Sequence, residues 1–198
     1  MERWRAALKS LGGEAASIRW RYAAFELDPN VPAEGVDRDA YMSGRYDPET
    51  VQAMGERLRQ IAAAEGLPMA DPESLTLRPS TFAAHRLMTA ALHAGADVQQ
   101  RLGDALFAAY WGRGENVGDH AVLLAAARQA GMDGDAAAGL LAGDDLADEV
   151  RAEEEEASLL GIHAVPSFVF ADRFLVSGAQ DPTLLARAAR QALADGRA

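Results

Sequence analysis

A proline stands at the head of an apolar run in Val165-Pro166-Ser167-Phe168-Val169-Phe170, and it limits what the C-terminal part of the chain can become. Proline cannot donate to a strand ladder and is confined to strand starts, edges and bulges. The run therefore reads as a strand opening at Val165-Pro166, and its nearly continuous apolar sequence predicts cover on both faces. A turn at Asp172-Arg173 and a second short strand over Phe174 to Ser177 make it a hairpin. Asp181-Pro182 then supplies an N-cap and an N1 proline to a helix that carries Leu184, Leu185, Ala188, Ala189 and Ala192 on its buried side.

At the other end, Trp4, Ala7, Leu8 and Leu11 recur at helical spacing, and Gly12-Gly13 stops the helix. Ser17 to Tyr22 alternates polar and apolar residues, which predicts a strand with Ile18, Trp20 and Tyr22 on one face, continuing towards Phe25. Asp28-Pro29 and Val31-Pro32 break it. Between about Asp37 and Leu160 only helical patterns occur: Pro48 to Glu65, a helix capped by Ser80 and running through His93, and a stripe of Val98, Leu102, Leu106 and Ala109. An Asp119-capped helix through Ala130, a short helix from Asp135 to Ala142 and a long one from Asp145 to Leu160 complete the block. The Glu153 to Glu156 run reads as a solvated face of that last helix.

The chain has 198 residues, enough for one substantial core with an inserted subdomain. Apolar residues make up 49% and charged residues 25%, an ordinary globular balance. A net charge of -11 opposes approach to phosphate backbones and anionic membrane surfaces, so nucleic acid and membrane are not expected partners. No run approaches the roughly 18 apolar residues of a membrane span, and Met1 to Ser10 lacks the apolar core of a signal peptide, which predicts a cytoplasmic protein. There is no cysteine, which removes disulfides, thiolate catalysis and cysteine-ligated metal from these residues. The four histidines, His85, His93, His120 and His163, form no ligand pair at metal-binding spacing, so no metal is expected.

These segments, in this order, resemble the DsbA family of thioredoxin-fold oxidoreductases, in its FrnE-like branch. The resemblance rests on Phe25-Glu26-Leu27-Asp28-Pro29, Ser80-Thr81-Phe82-Ala83-Ala84-His85-Arg86-Leu87, Ala108-Ala109-Tyr110 followed by Gly112 to Asp119, Val165-Pro166-x-Phe168-Val169-Phe170, and Val176-Ser177-Gly178-Ala179-Gln180. It implies an α/β class, a thioredoxin-like fold carrying a large all-helical insertion. Residues 1–36 and 161–198 would form the thioredoxin-like domain and residues 37–160 the insertion. The family's first strand and its Cys-x-x-Cys motif have no counterpart here, and a truncated N-terminus is the expected cause. The missing strand would lie between the strand near Trp20 and the strand near Phe168, and without it each buried backbone group left unpaired on those edges would cost about 1 to 3 kcal/mol.

The same resemblance implies a cis bond at Val165-Pro166 and a role for Val165, Pro166 and Gln180 in substrate binding, the Val165 backbone docking a substrate chain or glutathione. His163, three residues earlier, could face that groove or be an exposed loop histidine. His85 is open to a ligand contact or to a bond with a loop carbonyl. Gln180 could contact the ligand or cap the following helix. Glu26 could be a buried carboxylate near the redox centre or close a turn with Asp28.

The implied activity is that of a thiol-disulfide oxidoreductase or isomerase acting on a protein or small-molecule disulfide, redox-inert in this cysteine-free form. No cofactor is implied, with glutathione conceivable as a co-substrate. Two other readings stand beside it: a glutathione-dependent isomerase or transferase of the hydroxychromene-carboxylate isomerase or kappa type, and a non-catalytic peptide-binding relative. The sequence leaves the oligomeric state open.

Overall fold

The computed structural model describes residues 1–71 and 74–196. It divides into two compact units, one made of Met1–Trp20 with the segment from Glu155 onward, the other of Arg21–Glu154. The junctions fall at Trp20 and Glu154, earlier in the sequence than the expected 36 and 160.

In the first unit, helix α1 (Glu2–Leu11) runs into a 3₁₀ turn over Gly12–Ser17. Strands β3 (Ser167–Phe170) and β4 (Phe174–Ser177) and helix α9 (Pro182–Asp195) complete it. The hairpin is antiparallel, with Phe168 opposite Val176 and Phe170 opposite Phe174. Because side chains alternate along a strand, these four residues share one face. That face packs on Trp4, Ala7 and Leu11 of α1 and on Leu185, Ala186 and Ala189 of α9. Trp4 is the centre of this core, with its ring 6.1 Å from Phe168 and 5.8 Å from Phe170.

The opposite face corrects the sequence reading. Val169 and Leu175, which pair across the hairpin, are 40% and 41% exposed, so the strand is covered on one side only. The turn also sits one residue earlier than predicted, with positive φ at Ala171 and Asp172 and a bond from Arg173 N–H to the Phe170 carbonyl.

The second unit contains a two-residue ladder of β1 (Val36–Asp37) and β2 (Leu77–Arg78) and helices α2 (Arg38–Ser43), α3 (Pro48–Ala64), α4 (Phe82–Ala94) and α5 (Ala96–Phe107). A π turn over Ala108–Gly112, then α6 (His120–Ala130) and α7 (Gly134–Ala142) follow. Helix α8 (Ala147–Leu159) crosses the junction between the units. Leu87, Leu102, Leu123 and Ala127 are fully buried at the centre of the helical core. Asp119 and Asp133 cap α6 and α7 through side-chain bonds to backbone N–H groups. Ser80 does not cap α4: the N-cap is Thr81, whose hydroxyl turns to Glu26 at 3.5 Å instead.

The predicted strand at Ser17 to Phe25 is absent. Ser17 closes the 3₁₀ turn, Ile18 is extended, and among the described residues no ladder partner lies beside the segment that follows. Side chains take the place of a neighbouring strand at every second residue. Gln99, only 2% exposed, accepts from Tyr22 N–H at 2.9 Å and donates to the Tyr22 carbonyl at 3.0 Å. Glu153 accepts from Ala24 N–H and Glu154 from Glu26 N–H. Backbone groups at 22, 24 and 26 point to one edge, as in any extended chain, and buried amides must be paired. This bonding explains why residues 21–26 belong to the helical unit.

Candidate active site

The first unit carries a loop over residues 161–166, between α8 and β3. Val165-Pro166 is cis, and Gly161 enters the loop with a φ of 76°. The Ser167 hydroxyl donates to the Ala164 carbonyl at 2.7 Å, and Gly178 N–H donates to the Pro166 carbonyl at 2.8 Å. The second bond ties the loop to the turn after β4, where Gly178 takes a φ of 86°. Gln180 folds back on this turn, its amide donating to the Ser177 carbonyl at 2.8 Å. Its side chain is therefore occupied by the turn, and capping of α9 falls to Asp181, which accepts from Thr183 N–H at 2.8 Å. Bonds from the Thr183 backbone and hydroxyl hold the Asp181 carboxyl below its ordinary pKa, with Arg3 adding to the effect.

Arg3 was not foreseen from the sequence. It sits in the first turn of α1, and its guanidinium donates to the Ala179 carbonyl. The N-terminal end of α1, the Gly178–Gln180 turn and the cis loop thus form one connected end of the unit. A helix N-terminus carries a partial positive charge that favours anions, thiolates among them. Val165 is 47% exposed, and among the described residues its backbone N–H and carbonyl are bonded to nothing. An exposed residue with free backbone groups can pair with an incoming chain as a strand would. His163 and Pro166 are also exposed, so His163 stands as a loop histidine with open access to solvent.

Glu26 and His85 belong to the other unit, in a cluster the sequence did not assemble. The Glu26 side chain is 3% exposed and pairs with Arg151 at 2.8 Å, so it does not close a turn with Asp28. Arg151 also reaches Glu154 at 2.7 Å and lies 3.9 Å over the Phe82 ring. Burial opposes the Arg151 charge, but the bonds to Glu26 and Glu154 outweigh it and raise its pKa. His85 bonds the Phe25 carbonyl, and desolvation of its ring holds it below the ordinary histidine value against the pull of Glu26, Glu154 and Glu153. The cluster fastens residues 24–26 to α4 and α8. The solvated-face reading of the acidic run fails for its first half: Glu153 and Glu154 are 20% and 15% exposed and are engaged with this segment, while Glu155 and Glu156 are exposed.

Among the described residues no group of His, Asp or Glu could hold a metal ion, and no helix is long and apolar enough to cross a membrane. No curated protein matches the chain. Solved structures similar to it include two from different enzymes. The crystal structure of a probable DsbA oxidoreductase, SCO1869, from Streptomyces coelicolor shares 30% identity over 98% of this chain and 84% of its own, with a TM-score of 0.84. A 2-hydroxychromene-2-carboxylate isomerase aligns over 100% of this chain and 90% of its own at a TM-score of 0.61, but at 17% identity it shows the fold alone. The family described as DSBA-like thioredoxin domain matches residues 3–190, a span that takes in the first turn of α1, the cis loop, the hairpin and the helical unit, and the chain belongs to that family.

Proposed function

We propose that this chain forms the scaffold of a FrnE-like thiol-disulfide oxidoreductase whose nucleophilic cysteine is carried just before α1 in a longer form of the protein. One observation carries the reading: the first turn of α1 and the cis Val165-Pro166 loop meet through Arg3, Ala179 and Gly178, with the Val165 backbone free beside them. A thiolate on a residue preceding α1 would sit at the positive end of that helix, which lowers its pKa and raises its population.

In the reaction the thiolate attacks one sulfur of the substrate disulfide, the S–S bond breaks, and the departing sulfur leaves as a thiolate that takes up a proton. A second enzyme thiol then attacks the mixed disulfide, releasing the substrate as a dithiol and leaving the enzyme oxidised by two electrons. The Val165 backbone holds the substrate chain during both steps. The 198 residues supply the positioning and none of the sulfur chemistry.

The test is disulfide exchange measured on two lengths of protein, the 198 residues alone and the same chain extended by its upstream coding sequence. The extended form should reduce a peptide disulfide well above the uncatalysed rate, and Pro166→Thr in that form should slow it. An extended form that folds yet leaves disulfides untouched would overturn the proposal and bring forward the glutathione-dependent or binding-module readings.

A further inference from the structure

Arg3 has a place in the first unit that the core does not explain. Trp4, the next residue, is 4% exposed and fixes α1 on the hairpin through its contacts with Phe168 and Phe170. Arg3 stands beside it, half-buried, and its guanidinium leaves α1 to donate to the Ala179 carbonyl, 176 residues further along the chain. It is a cation in the first turn of a helix, where the macrodipole favours acidic groups. Glu2 fits that preference and Arg3 does not, so what Arg3 contributes lies in the contact it makes and not in α1 itself.

Ala179 belongs to the turn after β4, and the same turn is held from the other side. Gly178 N–H donates to the Pro166 carbonyl at 2.8 Å, Gln180 N–H to the Gly178 carbonyl at 2.9 Å, and the Gln180 amide to the Ser177 carbonyl at 2.8 Å. Two hydrogen bonds, Arg3 to Ala179 and Gly178 to Pro166, therefore run from α1 to the residue next to Val165. Asp181, which begins α9, adds to the hold: its carboxylate accepts from Thr183 N–H and feels the charge of Arg3. Ala179 and Val165 are both exposed, so water competes for this link and its share of global stability is small. Its effect is on where the turn and the loop sit relative to the start of α1. That distance matters to a bimolecular attack, because a displacement of about 1 Å between reacting groups can cost on the order of a hundredfold in rate.

We propose that Arg3 is a positioning residue: by holding the Ala179 carbonyl it sets the distance from the start of α1 to the Val165 backbone, so that a substrate chain paired there presents its disulfide to a thiolate ahead of α1. The role rests on the disulfide reading above and acts through the turn and the loop, without contact to the reacting sulfurs.

The experiment has two arms. In the 198-residue protein, amide exchange followed by NMR should be about tenfold faster at Gly178 in Arg3→Met, while the amide of Ala189, buried in the interior of α9, keeps its rate. In the form extended by its upstream coding sequence, the same substitution should slow exchange with a peptide disulfide about tenfold, whereas alkylation of the nucleophilic cysteine by iodoacetamide, which needs no docked chain, should be unchanged. Arg3→Lys, which keeps a donor on a long stem, should recover part of both losses, and Arg3→Gln takes the place of Arg3→Met if that variant does not fold. Unchanged protection at Gly178, or peptide exchange and alkylation slowed by the same factor, overturns the role of Arg3 and leaves the disulfide reading in place. An extended form that is inert before any substitution overturns the disulfide reading itself, and the role with it.

Discussion

His85 shows at single-residue scale how a charge balance becomes measurable. Its ring is desolvated, so its folded pKa lies below the unfolded value, although Glu26, Glu153 and Glu154 favour the charged form. The folded state therefore binds fewer protons than the unfolded chain once pH approaches the ordinary histidine pKa of about 6.5. Stability from this group is complete above that value and is lost as pH falls from it towards the folded pKa. The carboxyls held low by hydrogen bonds, Asp28, Asp97 and Asp181 among them, titrate at lower pH and leave this window clear. Urea midpoints should accordingly fall between pH 7.5 and 5.5, and His85→Gln should flatten that decline. A variant with the same slope as the parent would show that the decline comes from other groups.

At the scale of elements, Arg86 explains how the acidic helix α8 is placed after α7. It is 5% exposed, and its guanidinium donates to the carbonyls of Leu140, Gly143 and Asp145, closing the C-terminal end of α7 and the turn that follows. Lysine cannot present a planar fork to three carbonyls, so Arg86→Lys should lower unfolding free energy by about 2 to 3 kcal/mol in urea melts. A cost below 0.5 kcal/mol would mean that the carbonyls find other donors. Such an anchor shows where the sequence stops being legible. Helices α6 and α9 and the hairpin were readable because each carries its own start signal and period within a few residues, as Asp119 and Asp181-Pro182 do. The unstranded segment after Trp20 was not readable, because alternation records which face is buried and not what bonds the edges, and its partners Gln99, Glu153 and Glu154 lie more than 70 residues away. The β1–β2 ladder was invisible too, since two residues define no period. The cis loop was legible only as a family resemblance; Arg3, which ties it to α1, has no local signature at all.

For the whole molecule, the proposed function ties stability and chemistry to one segment. The hairpin of the first unit has two strands and an outer face on which Val169 and Leu175 are exposed, and a two-stranded hairpin gains little stability by itself. A further strand paired along β3 would add about four backbone hydrogen bonds, each worth roughly 1 kcal/mol net. For a chain of this size each kcal/mol moves the melting temperature by about 2 to 4 °C, so a form extended by the upstream coding sequence should melt about 8 to 16 °C higher than the 198 residues alone. The gain should persist when any cysteine in the added segment is changed to serine, whereas disulfide exchange should vanish in that variant, because the ladder needs only the backbone and the reaction needs the thiolate. Differential scanning calorimetry of the three proteins decides the matter. Equal melting temperatures would show that the hairpin edge requires no added strand, and a gain abolished by the serine change would attribute the stability to the thiol instead of to the sheet.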